Sequence, residues 1–284
     1  MKGTDMQISY RQLVVHQDNT SRSAVRLKAA SDLALQHGAA LCGVYAATAG
    51  YIGMPYTPGL GDAALADLLA QDDKQRAQAQ VAFKAAMTGA AGVSWCEVTE
   101  MPVIGAFVQQ ALYADLLVLG QHDPMERLSR DIPADFAQSV IAGSGKPALV
   151  IPFTGDLPER MDNVVIGWKE TPEAARAVAA AMPLLQRARN VHVLSWSSDT
   201  LRACTGDTLD LEKYLRLHGV EAQWHRYGAE PDHLGELMLS RSFDLDGHLL
   251  VMGCYGHSRA REWVMGGASR TVLQSMTLPV LIAH

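Results

Sequence analysis

Aromatic residues are scarce in this chain, at 6% of 284 positions, and long apolar runs are missing. A helix needs roughly 20 consecutive apolar residues to span a bilayer, and no stretch approaches that length. The opening MKGTDMQISYRQLVV also lacks the basic-then-apolar order of a secretory signal, so a soluble, cytoplasmic protein without a membrane partner is expected. Positive charge is not in excess: 24 Lys plus Arg against 30 Asp plus Glu give a formal charge of -6. Such a balance offers no basic field to a phosphate backbone, and nucleic acid is not expected as a partner. The four cysteines, Cys42, Cys96, Cys204 and Cys254, form no CxxC pair and read as buried reduced thiols rather than a zinc or redox site.

Familiar catalytic signatures are also missing. The sequence contains no G-x4-G-K-(S/T), H-E-x-x-H or G-x-S-x-G, so a P-loop ATPase, zinc protease or serine hydrolase finds no support. Gly59-Leu-Gly61-Asp-Ala-Ala64 imitates a dinucleotide fingerprint but follows Tyr56-Thr-Pro58 instead of a strand, and reads as a turn. His122-Asp123 reads as surface loop, and Asp199, Asp207 and Asp210 as loop carboxylates and helix caps.

What is present is a repeat. Leu13–Thr20 (LVVHQDNT) matches Val164–Thr171 (VVIGWKET), Asp115–Gly120 (DLLVLG) matches His248–Gly253 (HLLVMG), and Lys146–Pro152 (KPALVIP) matches Leu278–His284 (LPVLIAH). Three matched segments in one order indicate two tandem copies, at residues 1–154 and 160–284. The first copy holds extra chain, mostly within 46–90, which opens on the turn-rich YIGMPYTPGLGD and continues as an Ala/Gln-rich helical run. With 48% hydrophobic residues, each copy can bury a core of its own.

Short Val/Leu/Ile runs alternate with helical patterns in each copy, the signature of a parallel sheet covered on both faces. Strands are expected near 12–16, 40–46, 93–99, 115–120 and 147–151, then 163–167, 190–196, 220–226, 248–253 and 279–283. Ser21 is the expected cap of the first helix, with Ala24, Leu27, Ala30 and Ala34 on one face and Gly38 as its stop. Thr171 and Pro172 open the matching helix of the second copy. Both helices start beyond the carboxyl end of strand one, where an open doubly wound sheet places its ligand crevice.

The segment most suited to a ligand follows the fourth strand of the second copy. Gly253 ends the strand, Gly256 follows three residues later, and Gly266, Gly267, Ala268 and Ser269 open the last helix. Glycines here are expected to take positive φ or admit a phosphate close to main-chain N–H groups, and the helix start favours an anion. His257, Arg259 and Arg261 could add positive charge. Trp168 and Trp196 follow strands one and two, either closing a core or stacking on a ring.

This pattern resembles the universal stress protein family in its tandem two-domain form, over nearly the whole chain. The motif Gly253-x2-Gly256-x9-Gly266, then a small-residue helix start and Pro279-Val-Leu-Ile, is similar to the family's G-x2-G-x9-G-(S/T) nucleotide pattern. The resemblance implies two tandem doubly wound α/β domains of the adenine nucleotide alpha hydrolase-like type. Each would have a five-stranded parallel sheet of order 3-2-1-4-5. It further implies ATP or a related adenine nucleotide between strands one and four, held by Gly253, Gly256, His257, Arg259, Gly266, Gly267 and Ser269. Pairing of domains through strand five would make the chain an intrachain pseudo-dimer, open to further homodimerisation and to a protein partner the sequence does not name.

Two departures qualify that implication. The acid that the family carries just after strand one is matched by Asp18 in the first copy but by Lys169 in the second, and the family's Ser/Thr after the last glycine is Gly267, with Ser269 two residues on. In the first copy the loop reads GQHDPMERLSRDIPADF, with Asp123 and Pro133 where glycine and a donor would be needed. The expected function is therefore nucleotide binding in the second domain with a regulatory or stress-resistance role and, at most, slow ATP hydrolysis. The alternative is an interaction scaffold that has lost its nucleotide.

Overall fold

Valine, leucine and isoleucine dominate the strands because both faces of each sheet are covered, so no polar alternation is required. The computed structural model describes residues 8–47, 61–98, 101–196, 207–254 and 267–284. The chain divides into two compact units, Tyr10–Phe153 and one that includes Thr154–His284.

The first unit contains β1 (Gln12–Gln17), α1 (Ser23–His37), β2 (Ala40–Tyr45), α2 (Asp62–Ala86), β3 (Val93–Glu97), α3 (Val103–Ala111), β4 (Leu116–Gly120), α4 (Phe136–Ser144) and β5 (Ala148–Ile151). Its strands run in the order β3-β2-β1-β4-β5, all parallel. The second unit contains β6 (Asn163–Trp168), α5 (Pro172–Leu185), β7 (Asn190–Trp196), α6 (Leu211–Leu217), β8 (Gln223–Tyr227), α7 (Leu234–Asp244), β9 (Leu249–Gly253), α8 (Gly267–Ser275) and β10 (Val280–Ala283). Its order is β8-β7-β6-β9-β10, again parallel. Each unit is thus an α/β domain of order 3-2-1-4-5, and the ten strands fall within about three residues of their expected bounds.

Register fixes the correspondence between units. Leu13 pairs with Leu116 as Val164 pairs with Leu249, which makes His16 equivalent to Gly167, Asp18 to Lys169, Arg26 to Ala177, and Gly120 to Gly253. In both units the strand order reverses between strands one and four. Loops diverge there, which opens a crevice at the carboxyl ends.

Helix ends follow local chemistry with one correction. Thr171 caps α5 by accepting from the Ala174 amide at 3.3 Å, with Pro172 in the first turn, and Gly38 ends α1 in the left-handed region at φ 60°. Ser21 does not cap α1. That helix begins at Ser23, and the Ser21 amide and hydroxyl both donate to the Glu126 carboxylate, at 2.6 and 3.2 Å. Of the face expected for α1, Leu27 and Ala30 are buried, Ala34 is half-buried and Ala24 is exposed, while Arg26, Ala29 and Leu33 join the buried side. Asp210 caps α6 by accepting from the Lys213 amide at 2.8 Å.

Of the cysteines, Cys254 is buried, whereas Cys42 and Cys96 are only half-buried, since both lie towards the β3 edge of their sheet. Cys204, Asp199 and Gly59 lie outside the described residues. No helix among the described residues is long and apolar enough to cross a membrane.

Candidate functional site

In the second unit, β6 and β9 lie side by side, and their carboxyl ends at Trp168 and Gly253 open onto a cleft of about 370 Å³. That volume falls within the range of small-molecule sites, roughly 300–1,000 Å³. Met238, Met252 and Leu234 form an apolar wall, Trp168 and Trp196 bring aromatic surface, and Gly267, Ala268 and Ser269 contribute the first turn of α8. A helix start carries unpaired N–H groups and a positive dipole end. A ligand with a flat apolar part and an anionic part matches such walls.

Gly253 is glycine because of a helix, not because of its own φ. A Cβ there would collide with the Ala174 amide nitrogen and lie 2.6 Å from the Glu173 carbonyl carbon, so the first turn of α5 rests directly on the strand end. Positive φ, one of the two reasons expected for these glycines, is not found at Gly253. Gly267 has open space where a side chain would point, and Ser269 is buried beside it. Gly256, His257, Arg259, Arg261 and Gly266 lie outside the described residues.

Trp196 is buried and stacks on Tyr227, with centroids 4.9 Å apart and planes 17° from parallel, and the Arg241 guanidinium lies over the Tyr227 ring, 5.6 Å from its centroid. The indole therefore meets the cleft as part of a braced aromatic layer. Lys169 extends to Glu230, in the segment between β8 and α7, and the two form an ion pair at 2.6 Å with both side chains nearly half exposed. Glu230 is the one carboxylate among the described cleft residues. Beside the cleft, burial and the nearby Glu173 push the Cys254 thiol up, away from its reactive form.

The matching crevice of the first unit is filled by its own side chains. Arg26 reaches out of α1 to donate to the His16 carbonyl at 2.6 Å and to the Asp18 carboxylate at 2.6 Å. A Cβ on Gly120 would collide with the guanidinium, which thus covers the end of β4. His16 packs on Phe136 and Phe107, with centroids 4.4 and 5.7 Å away, and its Nε2 donates to the Ala46 carbonyl, 2.9 Å distant. Burial, then the Arg26 charge, lower the His16 pKa to about 4, with Asp18 and the Ala46 contact opposing. Burial pushes the Asp18 carboxyl up, but Arg26, His16 and the Thr20 hydrogen bonds together hold it below the usual carboxylate range.

The second unit replaces both His16 and Arg26. Gly167 stands for His16, with the Met238 sulfur in the space beside it, and the fully buried Ala177 stands for Arg26, with the first turn of α5 resting directly on Gly253. In the first unit, Asp123 accepts from the Met125 amide at 2.9 Å, which engages that carboxylate in its own loop.

No family model matches the sequence, and no curated protein is significantly similar to it. Solved structures are similar in fold. A universal stress protein from Archaeoglobus fulgidus DSM 4304 superposes with a TM-score of 0.68 at 14% identity, covering 96% of this chain and 95% of that one. The chain has the universal stress protein fold. A functionally unknown protein from Pseudomonas aeruginosa PAO1 is similar over 96% of this chain and 92% of its own, with a TM-score of 0.59 at 17% identity. Within this fold, Arg26 covers the end of β4 in the first unit, whereas the end of β9 in the second lines a cleft. The sequence pattern pointed to Gly253, Gly267 and Ser269, which do line the cleft, whereas Glu230, Leu234 and Met238 were missed. Those three reach the cleft through packing of α7 and the segment before it, for which no sequence motif exists. The exchange of His16 for Gly167 was visible in the aligned repeat.

Proposed function

We propose that this protein binds ATP or a related adenine nucleotide in the second unit and acts as a regulatory or stress-resistance protein of the cytoplasm. Gly253, Gly267 and Ser269 form the described part of the site, and Gly256, His257, Arg259 and Gly266 its phosphate loop. The observation that supports this most is the open cleft of about 370 Å³ where the equivalent crevice is plugged by Arg26. The first turn of α8 favours the phosphates, and Trp168 and Trp196 offer surface to the base. Glu230, the one carboxylate among the described cleft residues, is already paired with Lys169, so binding rather than turnover is the expectation. The same ion pair favours a second reading, an interaction scaffold, since a cleft residue satisfied by its neighbour needs no ligand.

Calorimetric titration of the full chain with ATP and AMP separates the two readings. Nucleotide binding predicts a Kd of about 1 mM or below, roughly 4 kcal/mol or more, with quenching of tryptophan fluorescence. Gly267→Asp should abolish it by bringing a carboxylate to the helix start, and Gly256→Asp should do so at the loop. Absence of heat with both nucleotides, and of any nucleotide released from the purified protein, would leave the scaffold reading.

A further inference from the structure

The Lys169–Glu230 pair gives the cleft a chemical preference that its apolar walls and helix start do not. We propose that Lys169 selects a nucleotide carrying a phosphate on its ribose in addition to the one at the 5′ position, an inference that rests on nucleotide binding in this cleft. Lys169 lies one residue beyond β6, at the rim of the cleft, and Glu230 faces it from the segment between β8 and α7. Their contact is 2.6 Å long, with side-chain exposures of 47% and 40%, so neither is locked in the interior.

A carboxylate beside a ribose accepts from its hydroxyls and repels a phosphate placed there, while a cation does the reverse. The two units offer both cases at equivalent positions. Asp18 is buried and committed to Arg26, whereas Lys169 remains half in water beside open space. An ion pair exposed to this degree contributes little by itself. A phosphate, with more charge and three acceptor oxygens, can therefore displace Glu230 from Lys169 and return that carboxylate to solvent at small cost. A plain ribose has only neutral hydroxyls to set against the same pair and gains less.

Glu230 then acts as a competitor held at the site. Its removal should strengthen binding of a ribose-phosphorylated ligand, and removal of Lys169 should erase the preference. Salt should weaken the preference, because both groups are partly exposed.

Titration of the full-length protein with AMP, adenosine 2′,5′-bisphosphate and adenosine 3′,5′-bisphosphate tests this with the base and the 5′-phosphate held constant. One bisphosphate is expected to bind about tenfold more tightly than AMP, and its position identifies which ribose oxygen faces Lys169. Lys169→Met should bring the ratio of the two affinities close to one, and Glu230→Gln should widen it, each with an unchanged melting temperature. AMP binding with no preference among the three ligands overturns this inference and leaves the nucleotide reading intact. A preference that survives Lys169→Met also overturns it. Failure of all three to bind overturns this inference, and failure of ATP as well overturns the nucleotide reading with it.

Discussion

The Arg26 guanidinium lies 2.6 Å from the Asp18 carboxylate, and both side chains are at most 3% exposed. A buried pair of this kind is costly to break from one side, because the remaining charge has neither water nor partner. Arg26→Ala should therefore destabilise the first unit by about 3–5 kcal/mol, read as a lower denaturant midpoint. Arg26→Met combined with Asp18→Asn should recover much of the loss. A single variant as stable as the parent would mean that the pair does not hold this crevice together.

The same cluster sets a pH dependence. Because the folded-state pKa of His16 is lowered to about 4, the unfolded chain binds its proton first as pH falls below the ordinary value near 6.5. Stability contributed by neutral His16 is thus full above pH 6.5, is lost between about 6.5 and 4, and changes little below that, with a total on the order of 3 kcal/mol. Asp18, held below its ordinary range, adds a loss that begins lower, as pH falls through the carboxylate range. His16→Gln should flatten the upper part of the profile, and unfolding curves measured between pH 7 and 4 would reveal a persistent slope if another group is responsible.

Gly253 and Gly267 make a paired test in the second unit. A methyl group at Gly253 meets the first turn of α5, so Gly253→Ala should cost about 1–3 kcal/mol as helix and strand are forced apart. Gly267→Ala meets nothing within 4 Å among the described residues and should leave the melting temperature close to that of the parent. Equal effects from the two would contradict the packing assigned to Gly253.

Helix starts provide a further contrast. Thr171→Ala removes the acceptor of the Ala174 amide and should cost about 1 kcal/mol, whereas Thr171→Ser should be nearly neutral. Ser21→Ala removes no cap, and its effect should be limited to the exposed contact with Glu126. Thermal unfolding of the three variants gives the ranking.

The repeat and its strands were legible because a strand buried on both faces writes itself as an uninterrupted apolar run, as in Leu116–Leu119 and Leu249–Met252. Thr171 was legible too, since a hydroxyl followed by proline is a local signal. Ser21 carried a similar local signal, but Glu126, 105 residues away, takes its hydroxyl. Gly253 read as special for its backbone freedom or for close approach of a phosphate, whereas its contact with a helix turn is one that only the folded chain brings there. Lys169 likewise read as a lone departure, because Glu230 is 61 residues distant and no pattern links the two. Local chemistry was readable in each case, and what failed was the identity of partners supplied by tertiary packing.

Arg26 in the first crevice also makes the two units respond differently to their surroundings. With the Arg26 guanidinium in that space, the first unit leaves a ligand no room at the end of β4. A unit with an open crevice is stabilised by RT ln(1 + [L]/Kd) when a ligand L enters. Heating the chain with increasing nucleotide should accordingly move the unfolding of Thr154–His284, the unit that holds the cleft, upward.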